Sequence, residues 1–327
     1  MPIIKNSTYK APWFLKGMPH VQTIFPNLFR RVTSPPFTRQ RIETPDADFL
    51  DIDLAFKNGK SPSSKLAILS HGLEGSTDRW YIRGMVHALH RADYDVLAWN
   101  FRGCSGSINR ILAYYHSGKS EDLEAVIQHV LNTSDYKKIA LIGFSVGGNI
   151  TLKYLGERGK NIPHNLLKAV CFSVPVDLEA SSRELAKPSN RIYMDRFLKT
   201  LKQKVRDKME KFPGEIDDRN FKNITNFKEF DDRYTAPLNG FKNAHEYWAA
   251  ASSKQYLKNI SIPTLLVNAE NDPFLAPECY PVKESEANPN LFLEMPADGG
   301  HMGFTDFSFK NEYWSERRAV EFLIGDS

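Results

Sequence analysis

A serine set between two glycines, Gly143-Phe144-Ser145-Val146-Gly147, is the segment of this sequence with the most chemical content. At ordinary abundances of Gly and Ser, a Gly-X-Ser-X-Gly pattern arises by chance about 0.1 times in a chain of this length. Its setting adds weight. An apolar run at 139–142 precedes it and a helix-length segment at 146–158 follows. A strand that turns sharply into a helix lifts a serine oxygen clear of the backbone, and the flanking glycines remove Cβ atoms that would collide there. Gly148 allows the helix to approach the sheet. A serine so placed can attack an acyl carbonyl once a base takes its proton.

The base and its orienting acid should follow the serine in the chain, acid first. His164, His245 and His301 are the histidines after Ser145. His164 lies in a loop soon after the serine's helix, and His245 lies in a helical region. His301 stands in Asp298-Gly299-Gly300-His301-Met302-Gly303, just beyond the last strand candidate, where a base should be. The acid should leave the loop after the preceding strand, which reads Ala269-Glu270-Asn271-Asp272-Pro273-Phe274. Asp272 is the choice, with Glu270 and Asp298 as rivals. The oxyanion formed by attack needs backbone donors. One is the N–H of Val146 at the helix start. The other is the N–H of Leu73 in His71-Gly72-Leu73-Glu74-Gly75-Ser76, with His71 read as a structural hydrogen-bonder. Phe144, Trp80, Phe274 and Met302 flank these positions and are the candidate pocket lining. Arg102 is read as a structural ion-pair partner, and His116 as a surface loop residue.

These side chains must be carried by strands that end at one edge. Strand candidates fall at 38–43, 49–56, 66–70, 96–100, 139–143, 169–174, 264–268 and 291–295. Most are short apolar runs bounded by Gly, Pro, Asn or Asp, as strands buried on both faces require. Helix-length segments at 81–91, 120–131 and 146–158 alternate with them. The expected fold class is α/β: a mostly parallel sheet with helices on both faces and an antiparallel hairpin at the N-terminal edge. Residues 1–40 read as an aromatic, proline-rich arm covering the body. The core then divides into 41–180 and 258–327 around a helical cap at 181–257. Within the cap Met194, Phe197, Leu198, Leu201, Val205, Met209 and Phe212 form an apolar stripe opposite a basic face. The stripe packs the cap on the core, or the basic amphipathic helix makes weak peripheral contact with a membrane.

Composition narrows the class. Of 327 residues 41% are hydrophobic and 25% charged, ordinary for a globular chain, and the net charge of +4 demands no nucleic-acid partner. Three cysteines without CxxC spacing form neither a disulfide framework nor a zinc site. No signal-like or membrane-spanning apolar run is visible, so the expected location is cytoplasmic. No Walker loop, GxGxxG or HExxH pattern exists, so no cofactor or metal is expected.

Taken together, the motifs resemble those of the YheT-type α/β hydrolases, a branch of the serine esterases, over nearly the whole chain. The resemblance runs through Pro12-Trp13-Phe14-Leu15, His20-Val21-Gln22-Thr23-Ile24-Phe25-Pro26, His71-Gly72-Leu73-Glu74-Gly75-Ser76 and Asn100-Phe101-Arg102-Gly103. It continues through Tyr115-His116-Ser117-Gly118, the serine motif, Asn271-Asp272-Pro273-Phe274 and Gly299-Gly300-His301-Met302-Gly303-Phe304. Val146 stands where many relatives have leucine, a change that keeps the backbone donor. The resemblance implies hydrolysis of short- to medium-chain acyl esters by Ser145, His301 and Asp272. A lysophospholipase or thioesterase would use the same triad on a lipid-like ester. A non-catalytic binding protein on the same fold is the alternative from another class. Oligomeric state and acyl preference are not legible.

Overall fold

Alternation along the strands decides which helix lies on which side of the sheet. In the computed structural model, which describes residues 2–59, 63–308 and 311–325, nine strands form one sheet. They are β1 (Ile3–Ile4), β2 (Thr38–Glu43), β3 (Phe49–Ala55), β4 (Lys65–Ser70), β5 (Asp95–Trp99), β6 (Lys138–Phe144), β7 (Leu166–Phe172), β8 (Thr264–Val267) and β9 (Leu291–Glu294). Their spatial order is β1-β9-β8-β7-β6-β4-β5-β3-β2. All pairs from β1 to β5 in that order are parallel, while β3 pairs antiparallel with both β5 and β2. This is the expected α/β architecture with an antiparallel edge. The two-residue β1 was not anticipated, being too short to show a period.

The two-residue period sorts the core into two clusters. Leu66 and Ile68 of β4, Leu97 and Trp99 of β5, and Ile139 and Leu141 of β6 face one cluster. Ala67 and Leu69, Val96 and Ala98, and Ala140, Ile142 and Phe144 face the other. The first side is covered by α3 (Ser120–Thr133) and α4 (Val146–Arg158) together with the cap. The second is covered by α2 (Trp80–Arg91) and the helix Trp314–Ile324.

The N-terminal arm does more than cover the body. It contributes β1 to the sheet edge and forms α1 (Pro19–Phe29), begun by a proline at its first position, where the missing N–H costs nothing. Between β7 and β8 the chain is helical. It runs through α5 (Leu178–Leu185), α6 (Arg191–Lys211), a π-helical turn at Asp231–Thr235 and the helix Ala244–Ala251. Met194, Leu198, Leu201 and Val205 of α6 are buried as the stripe requires. Its opposite face is not uniformly solvated. Lys204 donates to the Gly103 carbonyl at 2.7 Å, and buried Lys208 donates to the Asn109 and Ile111 carbonyls. These lysines pin the cap to the loop after β5. Among the described residues no helix is long and apolar enough to cross a membrane.

Candidate active site

Strand ends carry the candidate site residues. β6 runs into α4 through Ser145, whose φ of 53° and ψ of −122° are unfavourable for any residue with a Cβ. Neighbours enforce that turn. The Ser145 N–H donates to the Phe172 carbonyl at 2.8 Å. A methyl group on Gly147 would collide with the Ser70 and His71 carbonyls, and one on Gly143 would lie 2.5 Å from the Gly148 Cα. Only glycine fits at either place, so the motif's spacing follows from how closely α4 crosses β4 and β6.

His301 and Asp272 come from the loops after β9 and β8. The His301 Nε2 lies 3.0 Å from the Ser145 Oγ, and its Nδ1 lies 2.9 and 3.1 Å from the two Asp272 carboxylate oxygens. The Asp272 side chain is fully covered and accepts the Phe274 N–H at 2.9 Å. The Phe274 ring packs on the imidazole with centroids 4.2 Å apart. A buried carboxylate on Nδ1 leaves Nε2 as the unprotonated nitrogen facing the serine hydroxyl. The rivals lie differently. Asp298 accepts from Gly17 N at 2.7 Å and from Gln22 Nε2 at 2.9 Å, while Glu270 is exposed. His164 is exposed in a loop, and His245 is exposed on a cap helix beside Glu179.

The glycine-rich loop after β4 abuts the serine. A methyl group on Gly72 would come 3.2 Å from the Ser145 Cβ. Fully buried His71 accepts the Phe101 N–H at its Nε2, 3.1 Å away, so its Nδ1 carries the proton and donates to the Gly72 carbonyl at 2.7 Å. Burial lowers the His71 pKa to about 3, which keeps it neutral. Gly75 N also donates to the Gly72 oxygen, at 3.0 Å. In a trans peptide the N–H points opposite the carbonyl. Holding the Gly72 carbonyl therefore aims the Leu73 N–H away from His71. Leu73 and Val146 line one cavity together with Ser145 and His301.

Arm residues complete the site, and the sequence reading had assigned them only surface coverage. The Gln22 side chain, fully buried, accepts Gly299 N at 2.8 Å and Asn271 Nδ2 at 2.9 Å, and donates to the Leu15 carbonyl and Asp298. The Thr23 Oγ1 accepts the His301 N–H at 2.9 Å. Gly300 has φ of 55°, and a methyl group there would lie 2.7 Å from the Pro19 carbonyl. So α1 holds both the loop that bears Asp272 and the loop that bears His301. The available signal was a Gln-Thr pair inside the otherwise apolar Val21–Phe25 stretch.

Two depressions meet at Ser145, Leu73, Phe197, Phe274 and His301. One runs under the cap, about 740 Å³ including its open mouth, with Leu178, Leu185, Leu201 and Phe227 in its walls. Its polar groups include Asp231, which accepts Trp248 Nε1 at 2.9 Å and whose pKa burial raises to about 7. His116 also lines it and is buried, contrary to its reading as a surface residue; burial lowers its pKa to about 3. The second depression is the more polar. Thr23, Asn27, Arg79, Arg196 and Met302 border it.

Two candidate lining residues lie elsewhere. Phe144 shares the parity of Ala140 and Ile142 and packs with Tyr81 and Phe172 on the opposite side of the sheet from the cap. Trp80, half-buried in the first turn of α2, packs against Tyr81 and Tyr313 and donates to Asn27 at 3.2 Å. Arg102 is the buried partner of Asp46, Asp48 and Asp122.

The alpha/beta hydrolase fold family matches residues 67–307. YheT of Escherichia coli (strain K12), whose name describes it only provisionally as an esterase, is 33% identical over 308 residues, 93% of this chain and 89% of the relative. A protein named Phospholipase ABHD3 from Mus musculus is 30% identical over 93% of this chain and 75% of its own length. Among solved structures, the Pyrococcus furiosus esterase Pf2001 superposes with a TM-score of 0.58 at 20% identity, covering 90% of this chain and 98% of the other, a likeness of fold. On the family match and the two relatives, this chain belongs to the α/β-hydrolase family.

Proposed function

We propose that this protein is a serine carboxylesterase that hydrolyses short- to medium-chain acyl esters through a covalent acyl-enzyme. One observation carries the reading: a single imidazole stands 3.0 Å from the Ser145 hydroxyl on one side and 2.9 Å from a buried carboxylate on the other. His301 takes the Ser145 proton as the oxygen attacks the ester carbonyl. Asp272 stabilises the imidazolium without accepting its proton. The N–H groups of Leu73 and Val146 receive the oxyanion. Collapse expels the alcohol, protonated by His301. Water, deprotonated by the same histidine, then releases the acid. The apolar cavity under the cap suits the acyl chain, and the polar depression suits the alcohol.

A fluorophosphonate probe should label the native protein and not Ser145→Ala. His301→Ala should lose nitrophenyl-ester turnover while retaining a cooperative melt. Equal labelling of the native and Ser145→Ala proteins sinks Ser145 as the nucleophile, and no labelling of either favours a non-catalytic binding protein. A lipid-directed reading with the same triad has a specific motive in the relatives named Phospholipase ABHD3 and Monoacylglycerol lipase, the latter from Saccharomyces cerevisiae, 28% identical over 79% of this chain. A series of nitrophenyl esters separates the two. A maximum at short chains supports the soluble esterase, and a continued rise to long chains supports the lipid-directed enzyme.

A further inference from the structure

The helix α1 is inside out. Its buried residues are Gln22, Thr23 and Pro26, of which the first two hold the site loops, while Val21, Leu28 and Phe29 face solvent. Six of the eleven large apolar side chains exposed among the described residues fall between Trp13 and Phe29, and a seventh, Phe307, joins them in space. Phe14 contacts Trp13, Phe25 and Phe307 at centroid distances of 5.7, 6.1 and 5.8 Å, and Phe25 contacts Phe29 at 4.8 Å. Trp13 is 88% exposed, and Phe29 and Phe307 are each 63% exposed. Contiguous exposure of this kind marks an interaction surface rather than the scattered apolar residues of an ordinary exterior.

Charge and position indicate the occupant. The first 42 residues contain seven Lys and Arg and no Asp or Glu. Arg30, Arg39 and Arg41 are ion-paired. Lys5, Lys10, Lys16 and Arg31 are exposed and have no salt bridge among the described residues. The same helix borders the polar depression that reaches Ser145, through Ile24 and Leu28. Arg31 lines one depression with Phe25, Phe29 and Phe307, and Lys16 follows Trp13 and Phe14 in the chain; aromatic side chains beside such cations suit a surface with an apolar interior and anionic headgroups.

We propose that this face adsorbs to an anionic lipid surface, with α1 lying in the interface beside the entrance to the serine. The adsorption stands on the surface alone. Its use in delivering substrate rests on the esterase reading above.

The full chain should co-sediment with vesicles of phosphatidylcholine mixed with phosphatidylglycerol, less with phosphatidylcholine alone, and less at high salt. Brominated acyl chains should quench its tryptophan fluorescence, and Trp13→Phe should bind while losing most of that quenching. The triple variant Trp13→Ser, Phe29→Ser, Phe307→Ser should lose at least about tenfold in vesicle partition. It should keep its turnover of a soluble nitrophenyl ester. Undiminished partition in the triple variant overturns the proposal, as does absence of binding by the native chain. A native dimer in sedimentation velocity that the triple variant breaks, with no vesicle binding, overturns it in favour of a second copy. Ser145→Ala should bind vesicles like the native protein. Turnover surviving in Ser145→Ala would sink the catalytic reading and leave the adsorption result standing.

Discussion

Asp231 shows how burial alone changes what a residue does. It lies in the cap's π-helical turn, and burial raises its pKa to about 7 against hydrogen bonds that favour the ionised form. An unfolded aspartate titrates near 3.9. Below that pH both states hold the proton, and this group's stabilisation of the fold is complete. As pH rises toward 7 the unfolded chain ionises first, so stability is lost across that window. The loss is at most on the order of 4 kcal/mol. Asp231→Asn cannot ionise and still offers Trp248 an acceptor. Urea unfolding should show the variant gaining on the native protein between pH 4.5 and 8, with the two nearly equal at the acid end. Parallel pH profiles would mean that Asp231 is ionised in the folded protein.

At the level of elements, the decisive contact is between α1 and two loops far away in sequence. Gln22 bridges Asn271 in the loop after β8 and Gly299 in the loop after β9, and Thr23 fixes the His301 backbone. None of these groups touches the Ser145 hydroxyl. Their effect is on placement, and an error of about 1 Å at a reacting group costs roughly 100-fold in rate. Gln22→Ala should therefore lower kcat for a nitrophenyl ester by about 10- to 100-fold. KM should stay close to the native value, because Gln22 lines neither depression beside Ser145. Circular dichroism should confirm an intact fold. Native kcat in this variant would show that the loops hold their geometry without the arm.

Across the whole molecule, buried ion pairs join segments that the sheet does not. Arg30, at the end of α1, makes a bidentate pair with Glu316 of the C-terminal helix, both side chains at most 3% exposed. Its guanidinium also lies 3.7 Å from the centre of the Tyr313 ring. The pair locks the arm to the body from the far side of the sheet. Removing one member leaves an uncompensated buried charge, which costs about 3–5 kcal/mol. Arg30→Ala should lose stability of that size in urea unfolding. Its turnover should fail at a lower temperature than the native protein's. A loss below about 1 kcal/mol would place the pair among weak surface contacts.

The sequence by itself determined eight of the nine strands and the loops that bear Ser145, Asp272 and His301. Each is a local consequence of period, apolar runs and turn-forming residues. Even the burial of Phe144 on the far side was legible, since it shares the parity of Ala140 and Ile142, had alternation been applied to it. Tertiary structure alone decided the role of α1. Its inward face is polar because it binds loops instead of filling a core, so the usual link between apolar periodicity and burial is reversed. It also decided that His116 is buried, that Trp80 packs against Tyr313, and that Lys204 and Lys208 point inward. Those outcomes depend on contacts between residues tens to hundreds of positions apart, and local spacing carries no record of such contacts.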